Sequence, residues 1–227
     1  YERASMIANY LMKKKQKFKI FILDSKNSFT KKEIFFNEWK KKYNDSIEWI
    51  SKKDGGKVIN VNNGVVTTEG GLKFSSDFLH IIPNQQASEI FHNSRLTSDD
   101  WCSVNPLNFE ITGSKDIYAL GDSIDAGDMP KSSLSANSQA KMLSMNLVNK
   151  ILEKDYIEPV FLNTCYSFSS IDRAFSITSW YRLNSQKNRI VSLGSKESYV
   201  DASDFDRLRE SKEAYDWYEN ITKMIYS

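Results

Sequence analysis

The sequence predicts an α/β protein, and three observations carry that expectation. A helical stretch is followed by the apolar run FKIFIL and then by a second helical stretch. The run Asp116–Leu120 ends in Gly121-Asp122 and leads through small polar residues into a long helix. After Pro159 the texture changes to β-type runs closed by a last helix.

Residues 2–14 predict a helix, because Met6, Ile7, Tyr10 and Leu11 recur on one face. Lys17–Leu23 follows as a buried strand ending in Asp24. Thr30 with Glu33 forms a capping-box pattern opening a helix through Tyr43. Ile47–Ile50, Val58–Val61, Gly64–Thr68 and Leu72–Ile82 predict short strands, with turns at Asn63-Gly64 and Gly70-Gly71. This α-β-α-β-β-β-β order is that of a dinucleotide-type α/β unit lacking its first strand. A short helix over Ala87–His92 comes next, then a loop through Trp101, Cys102 and Pro106, then Asp116–Leu120 as an apolar strand. The helix after it places Ala136, Ala140, Leu143, Leu147 and Ile151 on one packing face. Strand-type runs around Tyr166–Phe168, Ala174–Tyr181 and Arg189–Leu193 precede a final helix from about Ser203, with Trp217, Ile221, Met224 and Ile225 on one stripe.

Composition bounds the function classes. At 227 residues, with 40% hydrophobic and 26% charged residues and only nine glycines and four prolines, the chain has material for one or two cores and is not a disordered or collagen-like sequence. No apolar run reaches the ~18 residues a spanning helix needs. The first residue is Tyr1 rather than methionine, which implies a removed leader or a piece of a longer chain. The net charge of +2 divides into +8 over residues 1–60 and −6 over the rest. The basic excess is lysine beside helical apolar positions, Lys13 to Lys19 and Lys40 to Lys42, without an arginine cluster; that pattern is a solvated helix face rather than a nucleic-acid footprint. Two cysteines and two histidines, without ligand spacing, do not build a disulfide scaffold or a zinc site.

Several residues could carry chemistry, and each has a plainer alternative. Gly121-Asp122 at a strand end, before a helix start at Ser133–Asn137, would let an aspartate accept hydrogen bonds from ligand hydroxyls while the helix N-terminus faces an electronegative edge. The alternative is a strand-to-loop turn with a solvated aspartate. Cys165, among apolar and aromatic neighbours, is either a sheltered redox sulfur or an inert small hydrophobe, and Cys102 is a conceivable partner thiol. Glu2 is either a working acid or a helix-start carboxylate. Trp217 is either a cofactor neighbour or core. Asp24 after FKIFIL has the placement of a ribose-binding acid, but no glycine-rich turn precedes it, so NAD binding is not inferred.

Taken together, YERASMIANYL, FKIFILDSKNSF, HIIPNQQA, WCSVNP, IYALGDSIDAGDMPKSSLSANSQAK, FLNTCYS and AYDWYENITKMIYS resemble the flavoprotein subunit of flavocytochrome c sulfide dehydrogenase, a member of the flavoprotein disulfide reductase superfamily. A strand ending in Gly-Asp is common to many such flavoproteins, whereas MPKSSLSANSQAK, LNTCYS and the Trp-Tyr C-terminus are far more specific. Asn84 stands where the family usually has a second proline.

The resemblance implies an incomplete FAD/NAD(P)-binding type fold of two dinucleotide domains plus an α+β C-terminal domain. Residues 1–112 would be the second dinucleotide-type domain lacking its first strand, 113–158 the C-terminal part of the FAD-binding domain, and 159–227 the C-terminal domain. A GxGxxG segment and a Cys-Pro-Pro-Gly-Pro stretch would precede Tyr1, so this chain alone is expected to be inactive. Cys165 matches the second member of a redox disulfide whose first member is upstream, and Cys102 lies outside it. Glu2 matches a carboxylate near the flavin and disulfide. Gly121, Asp122 and the Lys131–Asn137 segment, with Lys131, Ser132, Ser135 and Asn137, match FAD-contacting positions, and Trp217 matches an aromatic beside the flavin. The implied activity is FAD-dependent oxidation of hydrosulfide, with electrons passed to a c-type cytochrome subunit that carries the haem. FAD would be held covalently through an upstream cysteine, and the location would be periplasmic. Two alternatives stay open. One is a membrane-associated sulfide:quinone oxidoreductase, although the last helix lacks the basic polar face expected for lipid docking. The other is a non-catalytic remnant or binding module.

Overall fold

The computed structural model describes residues 1–226, which divide into two compact units. The first comprises Tyr1–Ile81, Tyr166–Ser176 and Glu197–Ser227, and the second Ile82–Cys165 and Ile177–Lys196. Helices and sheets are mixed throughout, as an α/β reading requires.

The first unit begins with α1 (Glu2–Lys13), β1 (Ile20–Leu23), α2 (Lys32–Tyr43) and β2 (Ile47–Ile50). β1 and β2 pair in parallel, Ile20 opposite Ile47 and Leu23 opposite Ile50, with α2 as the crossover that parallel pairing demands. Of the predicted strand Lys17–Leu23 only four residues pair, because β2 offers only four partners. The expected capping box does not form: α2 starts after Lys31, which adopts a left-handed conformation (φ 63°) without a side-chain cap bond. Lys31 is instead turned inward, donating from Nζ to Ser167 Oγ at 2.8 Å and lying 5.7 Å from the Phe175 ring centroid.

Strands β3 (Val58–Asn62), β4 (Val65–Thr68) and β5 (Lys73–Ser75) form an antiparallel meander. Of the short strand expected over Leu72–Ile82 only Lys73–Ser75 pair, opposite three residues of β4. The core gathers Ala8, Ile34, Phe35, Trp39, Tyr43, Ile47 and Phe175. Burying side chains of this size contributes about 1.5–3 kcal/mol each. Trp39 donates its Nε1–H to Ser5 Oγ at 2.7 Å, so its polar edge is satisfied between α1 and α2.

A buried charge cluster ties α2 to α5 (Asp204–Tyr226). Glu38 is fully buried and accepts from Arg173 Nε at 2.7 Å, Arg173 Nη2 at 3.1 Å, Ser169 Oγ at 2.9 Å and Arg207 Nε at 3.2 Å. Burial pushes its carboxyl up, but the Arg173 and Ser169 bonds, with the charges of Arg173 and Arg207, outweigh that and hold it below the ordinary value. The α5 stripe differs from expectation accordingly. Its inner face is Arg207, Glu210, Ser211, Ala214 and Ile221, whereas Met224 and Ile225 are exposed.

The second unit holds α3 (Glu89–Asn93) and α4 (Ser133–Ile151). The expected strand over Asp116–Leu120 is absent. Only an isolated bridge of Tyr118 with Glu110 forms there, and Asp116 sits in the left-handed region at φ 59°, which breaks a ladder. The α4 face is rotated by about one residue from expectation. Ser135, Gln139, Met142 and Asn146 are buried, while Ile151 is 78% exposed. Gln139 and Asn146 can take inner positions because each has a partner to reach. Asn146, for example, donates to the Leu107 and Ile157 carbonyls at 3.0 and 3.1 Å.

Three strands, β6 (Val160–Ser170), β7 (Arg173–Leu183) and β8 (Ile190–Glu197), form a sheet in that order. The outer part of the β6–β7 hairpin counts with the first unit and the inner part with the second. The core of the second unit includes Cys102, Phe109, Ile111, Ile124, Met142, Phe161, Tyr181 and Ile190. Gly127, at φ 64°, lets the loop approach β8 so closely that a Cβ there would lie 2.3 Å from the Ile190 carbonyl oxygen.

Candidate functional site

The start of α4 and the base of β6 build the best-connected polar site in the second unit. Ser132 is the N-cap of α4 in extended backbone, and its Oγ accepts from Ser135 N at 3.2 Å, one of the orphan donors of a helix start. Its own proton goes to Asn163 Oδ1 at 2.5 Å. Asn163, fully buried on β6, donates from Nδ2 to Cys165 Sγ at 3.1 Å. Strand alternation puts Asn163 and Cys165 on one face, two residues apart. The helix start and the sulfur are thus joined through the side chains of Ser132 and Asn163.

Gly121 and Asp122 lie in a one-turn 3-10 segment, Gly121–Ser123, that precedes this helix. Gly121 takes φ 75°, donates its N–H to Gln139 Oε1 at 2.7 Å and packs so that a Cβ would meet Ala136 Cβ at 3.4 Å. Asp122 is exposed at its side chain, and its carbonyl accepts from Lys131 Nζ at 2.8 Å. Lys131 also donates to the Ile124 carbonyl at 2.7 Å and sits 3.6 Å from the Trp101 ring centroid, a cation–π contact. Burial lowers its ammonium from the ordinary value, against the opposing pull of Asp122 and Asp125. Lys131 therefore clamps the loop as well as charging it. Asn137 is half-buried one turn into α4.

Ser135 is buried in the first turn of α4, and its Oγ has no hydrogen-bond partner. A buried hydroxyl without a partner costs about 1–3 kcal/mol unless something supplies one. Here it stands at the positive end of a 19-residue helix, where an acceptor-rich group is favoured.

Cys102 is a different kind of residue. It is fully buried, burial pushes its thiol up, and it is a free thiol, so it is not bonded to Cys165. Its Sγ points at the Leu96 carbonyl at 3.8 Å.

Glu2 and Trp217 belong to the first unit. Glu2, half-buried at the start of α1, accepts from Phe168 N at 3.0 Å and so ties α1 to the outer part of β6. Trp217 is half-buried on α5. Asp24 is fully committed within the chain: it accepts from the Tyr1 hydroxyl, from Trp49 Nε1 at 3.0 Å and from Lys26 N at 3.0 Å. Burial alone would raise its carboxyl, and these bonds together with the Lys26 charge hold it low. Two residues that sequence reasoning did not single out complete the site. They are Asn163 and Gln139, and strand alternation from Cys165 was the signal that could have found the first.

A shallow depression of about 320 Å³ lies elsewhere on α4, lined by Ser144, Met145, Val148, Asn149 and Ile157, and no predicted site residue contributes to it. Among the described residues, no group of three or more His, Cys, Asp or Glu side chains could hold a metal ion. No helix among them is long and apolar enough to cross a membrane.

Comparison with known proteins decides the family. Residues 1–83 match the central part of the sulfide dehydrogenase (flavocytochrome c) flavoprotein chain. Residues 157–226 match the flavin-binding part of flavocytochrome c sulphide dehydrogenase, so the two matches together span more than half of the chain. The chain belongs to the flavocytochrome c sulfide dehydrogenase flavoprotein family. Its flavin-binding match runs from the base of β6 through α5 and includes Asn163, Cys165 and Trp217. The Gly121–Asn137 segment falls between the two matched stretches. Among solved structures, reduced CoADR-RHD from Bacillus anthracis is similar at 16% identity with a TM-score of 0.44. The alignment covers 78% of this chain and 39% of that chain, so this family member spans well under half of its length.

Proposed function

We propose that this chain is part of a flavoprotein subunit that oxidises hydrosulfide through a redox disulfide and FAD and passes electrons to a c-type cytochrome subunit. The observation that carries the proposal is the continuous hydrogen-bonded path from the α4 N-terminus through Ser132 and Asn163 to the Cys165 sulfur. Family membership supplies the flavin, and the partnerless Ser135 hydroxyl at the same helix end is what a bound acceptor-rich ring edge would satisfy. Gly121, Asp122, Lys131, Ser132, Ser135 and Asn137 are the residues of the second unit proposed to hold FAD, and the flavin-neighbour role of Trp217 rests on the family resemblance alone. Covalent attachment through a cysteine ahead of Tyr1, and a periplasmic location, belong to the same proposal.

In this scheme Cys165 and an upstream cysteine form the disulfide. Hydrosulfide attacks one of the two sulfurs; the S–S bond breaks, the attacked sulfur keeps the incoming SH as a persulfide, and the other leaves as a thiolate. Asn163 faces Cys165 with an N–H, a donor suited to a sulfur that becomes anionic. Bound FAD would supply the two-electron acceptor as that thiolate and the outer persulfide sulfur close a new S–S bond and the persulfide proton is released. The α4 N-terminus offers about half a positive charge to negative charge that accumulates beside it. Glu2, held by Phe168 N, is the carboxylate proposed for proton handling.

The test is sulfide-dependent reduction of added cytochrome c, compared with a soluble quinone analogue, by the full-length gene product. Cytochrome reduction at a rate well above quinone reduction is expected, and the reverse order would assign the chain to the quinone-reducing alternative. A protein without flavin absorbance would leave the binding-module reading.

A further inference from the structure

Every donor in the path between α4 and Cys165 points the same way. The Ser135 N–H points to Ser132 Oγ, the Ser132 O–H to Asn163 Oδ1, and the Asn163 N–H to Cys165 Sγ. A serine hydroxyl has one proton; because Ser132 Oγ already accepts the helix N–H, that proton is available to Asn163. It reaches the amide oxygen and thereby decides which end of the amide faces the sulfur. Aligned donors polarise one another, so the positive end of α4 is relayed to the sulfur through two side chains. Asn163 is buried to 1% exposure, so little water competes for its donors.

We propose that Asn163 is a positioning residue that fixes the Cys165 sulfur and donates to it, with its amide orientation set by the Ser132 cap of α4. Ser132, matched by resemblance to a flavin-contacting position, then spends its only proton on the sulfur side of the site. The inference rests on the reading of Cys165 as the redox sulfur and adds to it the group that favours the thiolate.

The experiment uses the full-length holoprotein under reducing conditions. Alkylation of Cys165 by iodoacetamide is followed against pH, with the Cys165 peptide resolved by mass so that other thiols do not contribute. Asn163→Leu, which keeps the approximate shape without the donor, is expected to move the profile to higher pH, read as alkylation slowed by about tenfold at a fixed pH below the midpoint. Asn163→Asp is expected to raise it further, because a carboxylate then faces the sulfur. Ser132→Ala is expected to shift it in the same direction by less, since the donor remains but its orientation is no longer fixed. Near-UV circular dichroism reports whether each variant is folded. A wild-type midpoint in Asn163→Leu overturns the proposal, as does a wild-type midpoint in Ser132→Ala if Asn163→Leu does not fold. Sulfide turnover that survives Cys165→Ser would remove the redox reading, a result separate from the midpoint shifts.

Discussion

Replacing Glu38 by glutamine should be among the most destabilising conservative changes in this chain. The substitution keeps the side-chain shape and removes one charge. Four hydrogen bonds converge on that carboxylate, three of them from two guanidinium groups, and Arg207 is itself fully buried. Breaking one side of such a buried pair leaves the arginine charges uncompensated and costs about 3–5 kcal/mol. For a chain of this size about 1 kcal/mol corresponds to about 2–4 °C, so a fall of about 6–20 °C in Tm is expected. Glu48→Gln is the control. Glu48 pairs with Lys19 at 2.8 Å with both side chains exposed, and such pairs contribute about 0–1 kcal/mol. Urea unfolding followed by near-UV circular dichroism measures both variants against the parent. If Glu38→Gln loses no more than Glu48→Gln, the cluster does not hold α2 to α5 and the account of the first unit is wrong.

Further outcomes follow from the same structure. Glu38 is held below the ordinary glutamate value of 4.5, so its contribution is present above that value and is lost as pH falls through the lower folded one. The acid arm of a stability–pH curve should therefore flatten in Glu38→Gln relative to the parent, and superimposable acid arms would contradict the assignment. Gly127→Ala should destabilise by at least about 1–3 kcal/mol in urea, since a left-handed backbone and a 2.3 Å approach to the Ile190 carbonyl oxygen both oppose a Cβ. Ser135→Ala removes a partnerless hydroxyl without adding bulk; apoprotein Tm should hold while flavin occupancy, read as the 450 to 280 nm absorbance ratio, falls. Undiminished occupancy would show that the hydroxyl does not face the flavin.

The elements most legible in the sequence were those with a local cause. The apolar recurrence of α1, the β-type run of FKIFIL and the Asn63-Gly64 turn all lie where periodicity and turn chemistry put them, and they appear as α1, β1 and the β3–β4 turn. What failed was whatever depended on a distant partner. Asp116–Leu120 is apolar enough for a strand, but only Tyr118 finds a bridge partner, so no ladder forms. The α4 and α5 faces were misread for a shared reason. Apolar stripes were assumed to face inward, whereas Gln139, Asn146, Arg207 and Glu210 are among the buried residues, each bonded to a partner outside its own helix. The capping box at Thr30 was overridden because Lys31 reaches Ser167, 136 residues away.

The candidate site was legible in part. Ser132, Ser135 and Cys165 were singled out from sequence, and the structure joins them within one unit. Asn163 was passed over because an asparagine inside an apolar strand carries no pattern of its own. Only the alternation rule applied from Cys165 would have placed it beside the sulfur. Asp24, from which no NAD site was inferred because no glycine-rich turn precedes it, accepts from Tyr1, Trp49 and Lys26.

The central claim is that the Cys165 sulfur takes electrons from sulfide. Anaerobic addition of sulfide to the full-length flavoprotein carrying Cys165→Ser, followed as bleaching of the flavin band, tests it most directly. The account predicts a protein that retains its flavin and no longer bleaches. Bleaching at the parent rate would contradict it.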